Sequence, residues 1–161
     1  MNLSVYLGKL KRLNGVLIVG GAMDYNGLRP VSSDIDVYSK KLINDYYFPD
    51  GTKLEQVTEM GTDCYEVTDN DSSICLTDYL FSDKNGFVSL ISGNLSVLKL
   101  SRLFITKLVS YDDDPERVKD FDDLKIIYAK WGGKLLRKVS CVIKKFGLDD
   151  AFNNFLDELN D

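Results

Sequence analysis

Two aspartates set one residue apart, Asp34 and Asp36, carry the clearest capacity for chemistry in this chain. They lie in the run Asp34-Ile35-Asp36-Val37, separated from Gly20-Gly21 by twelve residues. Residues 34–38 predict a strand, and alternate residues of a strand share a face, so the two carboxylates stand side by side. Ionised carboxylates that close repel each other, and a cation held between them removes the penalty. Upstream, Val16, Leu17, Ile18 and Val19 predict a buried strand that runs into the glycine pair. There, the missing side chains let backbone N–H groups approach a phosphate chain. Carboxylates suited to a hard divalent cation, two Mg²⁺ or Mn²⁺ ions, beside such a turn are the parts of metal-assisted nucleotidyl transfer. Read alone, two solvated aspartates at a strand end have equal claim; the glycine pair and its spacing weigh against that.

A third carboxylate is expected from a neighbouring strand. Asp78 is the first choice, because it sits in the apolar run 74–81, where an aspartate without a partner is costly to bury. Glu66 is the rival. The chain has no histidine, which excludes a Ser-His-Asp triad and leaves a carboxylate, lysine, tyrosine or thiolate as general base. Ser32 or Ser33 either bonds a phosphate or braces the aspartate strand. Arg29 either holds phosphate or pairs with one of the aspartates.

These residues need a scaffold, and 161 residues suffice for one domain with a real core. The pattern predicts an α/β (α+β) fold. A small mixed sheet packed by helices occupies residues 1–100, and a helical portion occupies 101–161. Strands are expected at 16–19, 34–38, 64–67, 74–81, 87–91 and 95–98. Helices are expected at 3–13, 22–26, 40–47, from Ser101 to about Tyr111, and then up to Gly132-Gly133. Two more follow over 135–146 and 149–159. Phe121, Leu124, Tyr128 and Trp131 make the apolar face of the helix before Gly132. Asp112-Asp113-Asp114 reads as an acidic helix start that complements the dipole, ahead of a metal-site reading.

A net charge of −5 argues against a broad nucleic-acid-coating surface. A local basic group remains: Lys130, Lys134, Arg137, Lys138, Lys144 and Lys145. It reads either as a holder of RNA phosphates or as the solvated face of amphipathic helices. No apolar run approaches ~20 residues, so no membrane span is expected. The opening residues lack a signal-peptide layout. Cys64, Cys75 and Cys141 have no motif spacing and read as reduced core thiols of a cytoplasmic protein.

Val19-Gly20-Gly21-Ala22-Met23, then Gly27-Leu28-Arg29, then Ser32-x-Asp34-Ile35-Asp36-Val37 resembles the signature of AbiEii-like nucleotidyltransferases. That group lies within the DNA polymerase β-type superfamily and includes toxins of toxin–antitoxin and abortive-infection systems. A second block is similar to the family's charged helical segment: Leu100-Ser101-x-Leu103, Lys107-Leu108, then Arg117-x-Lys119-Asp120-x-x-Asp123-Leu124. The resemblance spans residues 16–131. Gly21 stands where the wider superfamily often has a phosphate-binding serine.

The resemblance implies a nucleotidyltransferase fold, metal ligation by Asp34, Asp36 and a carboxylate on the strand of Asp78, and a nucleotide near Lys107 and Lys119. Asp120 and Asp123 read as cap and salt-bridge residues. The implied activity moves an NMP from an NTP to a tRNA 3′ end or a protein hydroxyl. The implied setting is growth arrest or phage defence beside a cognate antitoxin. The competing class is a catalytically inactive binding module of the same fold, or an antitoxin-like partner protein.

Overall fold

The computed structural model describes residues 7, 15–30, 37–38, 57–58, 88–92 and 95–160. They form a mixed α/β structure that divides into two compact units, Met1–Lys99 and Leu100–Asp161.

In the first unit, strands β1 (Gly15–Leu17), β2 (Val37–Tyr38), β3 (Val57–Thr58), β4 (Val88–Ser92) and β5 (Leu95–Leu98) make one sheet in the order β3-β2-β1-β5-β4. β1 pairs antiparallel with β2 through Val16–Tyr38 and Leu17–Val37, and parallel with β5 through Leu17–Val97. β2 and β3 are parallel, whereas β4 and β5 are antiparallel with an irregularity between Leu90 and Ser92. The buried positions alternate in the way a covered sheet face requires: Gly15 and Leu17 on β1, Leu95 and Val97 on β5. Helix α1 (Val19–Tyr25) follows β1 directly and buries Gly20, Gly21, Ala22 and Met23.

Helix α1 begins three residues before the position read from sequence, because Val19 itself turns the chain with φ at 42°. It ends as expected before Gly27. Gly27 takes φ +65°, its N–H donates to Asp24 O, and Leu28 N–H donates to Met23 O. This paired closure needs a residue that tolerates the left-handed region. β3 was not anticipated. The helices expected at 3–13, Leu7 apart, and at 40–47, with the strands at 64–67 and 74–81, lie outside the described residues.

The second unit is helical: α2 (Leu100–Asp113), α3 (Val118–Lys145) and α4 (Asp149–Asn160). α3 is broken at Gly132, with φ 41° and ψ −129°, where the sequence placed a helix end. Gly147, at φ +67°, closes α3 with the same paired bonds as Gly27, to Lys144 O and Ile143 O. Leu148 is buried beside this closure.

The core of this unit is aromatic. Phe155 of α4 is wholly buried, and the rings of Phe104, Phe121, Tyr128 and Phe152 lie 5.7–6.3 Å from it, centroid to centroid. Three of these contacts are edge-to-face, the geometry that ring quadrupoles favour. The apolar face of α3 before the break differs from its expected composition. Leu124 and Ile127 are buried, whereas Trp131 is 38% exposed. Residue 131 abuts the broken turn at Gly132, where the regular helical phase is interrupted.

A polar clasp joins α4 to α2: Tyr111 Oη donates to Glu158 Oε1 over 2.5 Å. Burial, followed by the hydrogen bond and negative charge of Glu158, pushes the Tyr111 phenol up to about 12. An unfolded tyrosine titrates near ~10, so the fold favours the protonated phenol. Its contribution to stability is complete below about pH 10 and is lost as pH rises through about 12. Subtracting the ultraviolet pH titration of Tyr111→Phe from that of the native chain should isolate one tyrosinate appearing near pH 12; a difference midpoint near ~10 would disprove the clasp. Phe155→Ala should lose about 3–5 kcal/mol in denaturant melts, the cost of deleting a packed ring.

Candidate functional site

At one end of the sheet, β1 delivers the chain into α1. The extended residue Ile18 (φ −127°, ψ 180°) precedes the helix and gives it no side-chain cap. Val19 then adopts a positive φ that β-branched residues rarely enter, a local strain of about 1–3 kcal/mol. Gly20 and Gly21, read from sequence as the turn itself, are buried inside the first turn of α1. The register makes this end a meeting point. β5 runs parallel to β1 and finishes there, whereas β2 runs antiparallel and starts there. The Asn26 amide bridges the end of α1 to the end of β5, donating to Ala22 O at 2.7 Å and Leu98 O at 3.3 Å. Arg29 is half-buried in the loop beyond, and its Nη1 donates to Pro30 O at 3.3 Å.

Asp34, Asp36, Ser32, Ser33, Asp78 and Glu66 lie outside the described residues, as do Cys64 and Cys75. Among the described residues no group of three or more histidines, cysteines or carboxylates is disposed to hold a metal ion.

The second sequence block forms a charge cluster within the helical unit. Lys107, midway along α2, is 2% exposed. Its Nζ lies 2.6 Å from Asp120 Oδ1 and 2.8 Å from Asp123 Oδ2, and both carboxylates are 1% exposed. Asp120 and Asp123 are three apart on α3 and so share a face, as the expected salt-bridge role requires. Asp120 also sits in the first turn of α3, where negative charge complements the helix dipole. Arg117 Nε is 3.2 Å from Asp120 Oδ2, close enough to attract but outside hydrogen-bond alignment. Lysine and arginine together balance the two aspartates. Lys119, next to Asp120 in sequence, is exposed. The lysine–aspartate connection was legible only in part: the Asp pair at i, i+3 was visible, but not the helix that would supply its cation.

Two expectations need correction. Asp112 and Asp113 are not at a helix start. They form the last turn of α2, and α3 opens only at Val118. That end of a helix disfavours negative charge. Partial burial and the charge of Asp112 hold the Asp113 carboxyl above its ordinary range. Cys141 is a free thiol but not a core residue; it is exposed on α3.

No helix among the described residues is long and apolar enough to cross a membrane. Comparison of the chain with family models, with curated proteins and with solved structures found no match.

The ion cluster predicts a marked asymmetry between substitutions. Lys107→Met removes the buried cation shared by two buried carboxylates and should cost about 3–5 kcal/mol in chemical denaturation. Adding Asp120→Asn and Asp123→Asn to Lys107→Met should recover much of that loss. A Lys107→Met variant as stable as the native chain would show that the cluster contributes nothing to folding.

Proposed function

We propose that this chain is a metal-dependent, AbiEii-like nucleotidyltransferase that moves an NMP from an NTP to a hydroxyl acceptor. The observation that supports this most is the pairing of Leu17 with Val37 in antiparallel register. The chain leaves β1 through Ile18 and Val19 into Gly20-Gly21, and it enters β2 from Asp36. Val37, the residue that follows Asp36 in the chain, therefore opens β2 at the end of the sheet where β1 passes into the glycine pair. A scaffold for holding phosphates against carboxylates needs that adjacency.

Asp34 and Asp36, with Asp78 or Glu66, are an all-oxygen donor set, which suits Mg²⁺. Bound there, the ion would offset the negative charge that grows on the transferred phosphate. The chain's own groups do the remaining work. Gly20 and Gly21, buried in the first turn of α1, add no side chain that would obstruct phosphates at that strand end. The acceptor oxygen bonds the α-phosphorus, the bond to the bridging oxygen breaks, and pyrophosphate leaves. The hydroxyl proton passes to a carboxylate, for which Asp78 is assigned, since no histidine is present.

Incubation with each labelled NTP, Mg²⁺ and either total RNA or total protein should yield a labelled macromolecule. EDTA should abolish the labelling and excess Mg²⁺ restore it. Labelling should also fall at acid pH as the carboxylates take up protons and release metal. Asp36→Asn should abolish transfer while leaving the melting temperature unchanged or slightly raised, because it relieves a like-charge repulsion. Full activity in Asp36→Asn would rule out the metal-ion mechanism. Absence of transfer with every NTP would favour the binding-module reading.

A further inference from the structure

Beyond the break at Gly132, α3 segregates charge sharply. From residue 124 to residue 148 the chain has no aspartate or glutamate, although its net charge is −5. Leu135, Val139, Val142 and Ile143 of this stretch are buried, while Lys134, Arg137, Lys138, Cys141 and Lys144 are exposed. At about 100° per residue, the four exposed cations fall within an arc of about 120°. Between Lys134 and Lys144 they extend over about 15 Å of helix. Among the described residues none of the four has an ion-pair partner. Lys145 is excluded from the row because its ammonium sits 4.9 Å from the centre of the Phe146 ring.

We propose that this row is a docking surface for the phosphate backbone of single-stranded RNA. The proposal concerns binding only and does not depend on the transfer chemistry. It also concerns residues beyond Trp131, outside the segment that carries the family resemblance.

The character of the row favours a polyanion over a protein. A stable protein interface needs a desolvated apolar centre with aromatic or aliphatic anchors. This stripe offers only cations, a serine and a thiol, and its apolar side is already buried. Regularly placed like charges on a solvated face are sufficient for a backbone that presents one negative charge per nucleotide. One narrow row on one helix tracks one strand, and RNA is the single-stranded polyanion that a cell supplies in bulk. The acidic remainder of the chain repels a polyanion, which confines contact to the stripe.

Four phosphate contacts on a single strand predict a slope of log K against log salt of about −3, hence a roughly 50-fold loss between 50 and 200 mM salt. The test is fluorescence anisotropy with a labelled, mixed-sequence 20-nucleotide RNA and the full chain. The variant Lys134→Gln/Arg137→Gln/Lys138→Gln/Lys144→Gln should bind at least tenfold more weakly and lose most of the slope. All four side chains are exposed, so its thermal melt should match the native one. The Asp36→Asn variant should bind RNA normally, which separates failure here from failure of the catalytic reading. Unchanged RNA affinity in the quadruple variant, or no RNA binding even at low salt, would overturn the proposal. So would polyglutamate of equal charge displacing the RNA as effectively as unlabelled RNA does.

Discussion

Removing an ammonium from water is costly, and in the helical unit that cost determines which elements must sit together. Lys107 is held 2.6 Å and 2.8 Å from two carboxylates that are as buried as it is. Such a group cannot be left half-assembled, because a single unpaired charge in the interior is worse than an apolar replacement for the whole set. The pairs tie the middle of α2 to the first turns of α3. With those turns fixed, Phe121 and Tyr128 are brought to the ring of Phe155, and α4 is drawn in over both helices. The cluster contributes geometry, while the aromatic burial supplies most of the driving force.

The sheet unit rests on a different constraint, the register of very short strands. A slip of one residue between β1 and β2 would exchange the faces of every side chain they carry. The burial of Leu17 on β1, together with Leu95, Val97 and Leu98 on β5, opposes such a slip. The sharp turn at Val19 is the local cost of passing from a buried strand into a helix with only Ile18 between them. Asn26 then fastens the far end of that helix to the β5 strand end.

How much of this was legible in the sequence depended on how local each signal is. Gly27 and Gly147 end helices through their own backbone freedom, and both ends were found close to where the residues put them. β4 and β5 were readable from apolar runs flanking Ser92-Gly93-Asn94. β3 is two residues long and exists through its pairing with β2, so no window of sequence announces it. The acidic run 112–114 was misassigned because charge preference alone cannot say on which side of a turn a helix stops. Cys141 was misplaced because a cysteine's usual burial says nothing about the cationic face it falls on here. For the candidate site, the glycine pair and the charged helix pair were legible as patterns. The partner relations were not, since Lys107–Asp120 and Tyr111–Glu158 join helices whose packing no local rule encodes.

The position of Phe155 has a consequence for how the chain is made. Synthesis runs from the N-terminus, and Phe104, Phe121 and Tyr128 all emerge before the ring on which they converge. Until α4 appears, α2 and α3 can form their backbone and ion-pair contacts but must leave an aromatic face open to water. Nascent chains in that condition are the ones that self-associate or engage chaperones. The helical unit therefore completes its folding only once α4 has been made, with that helix acting as its closing piece.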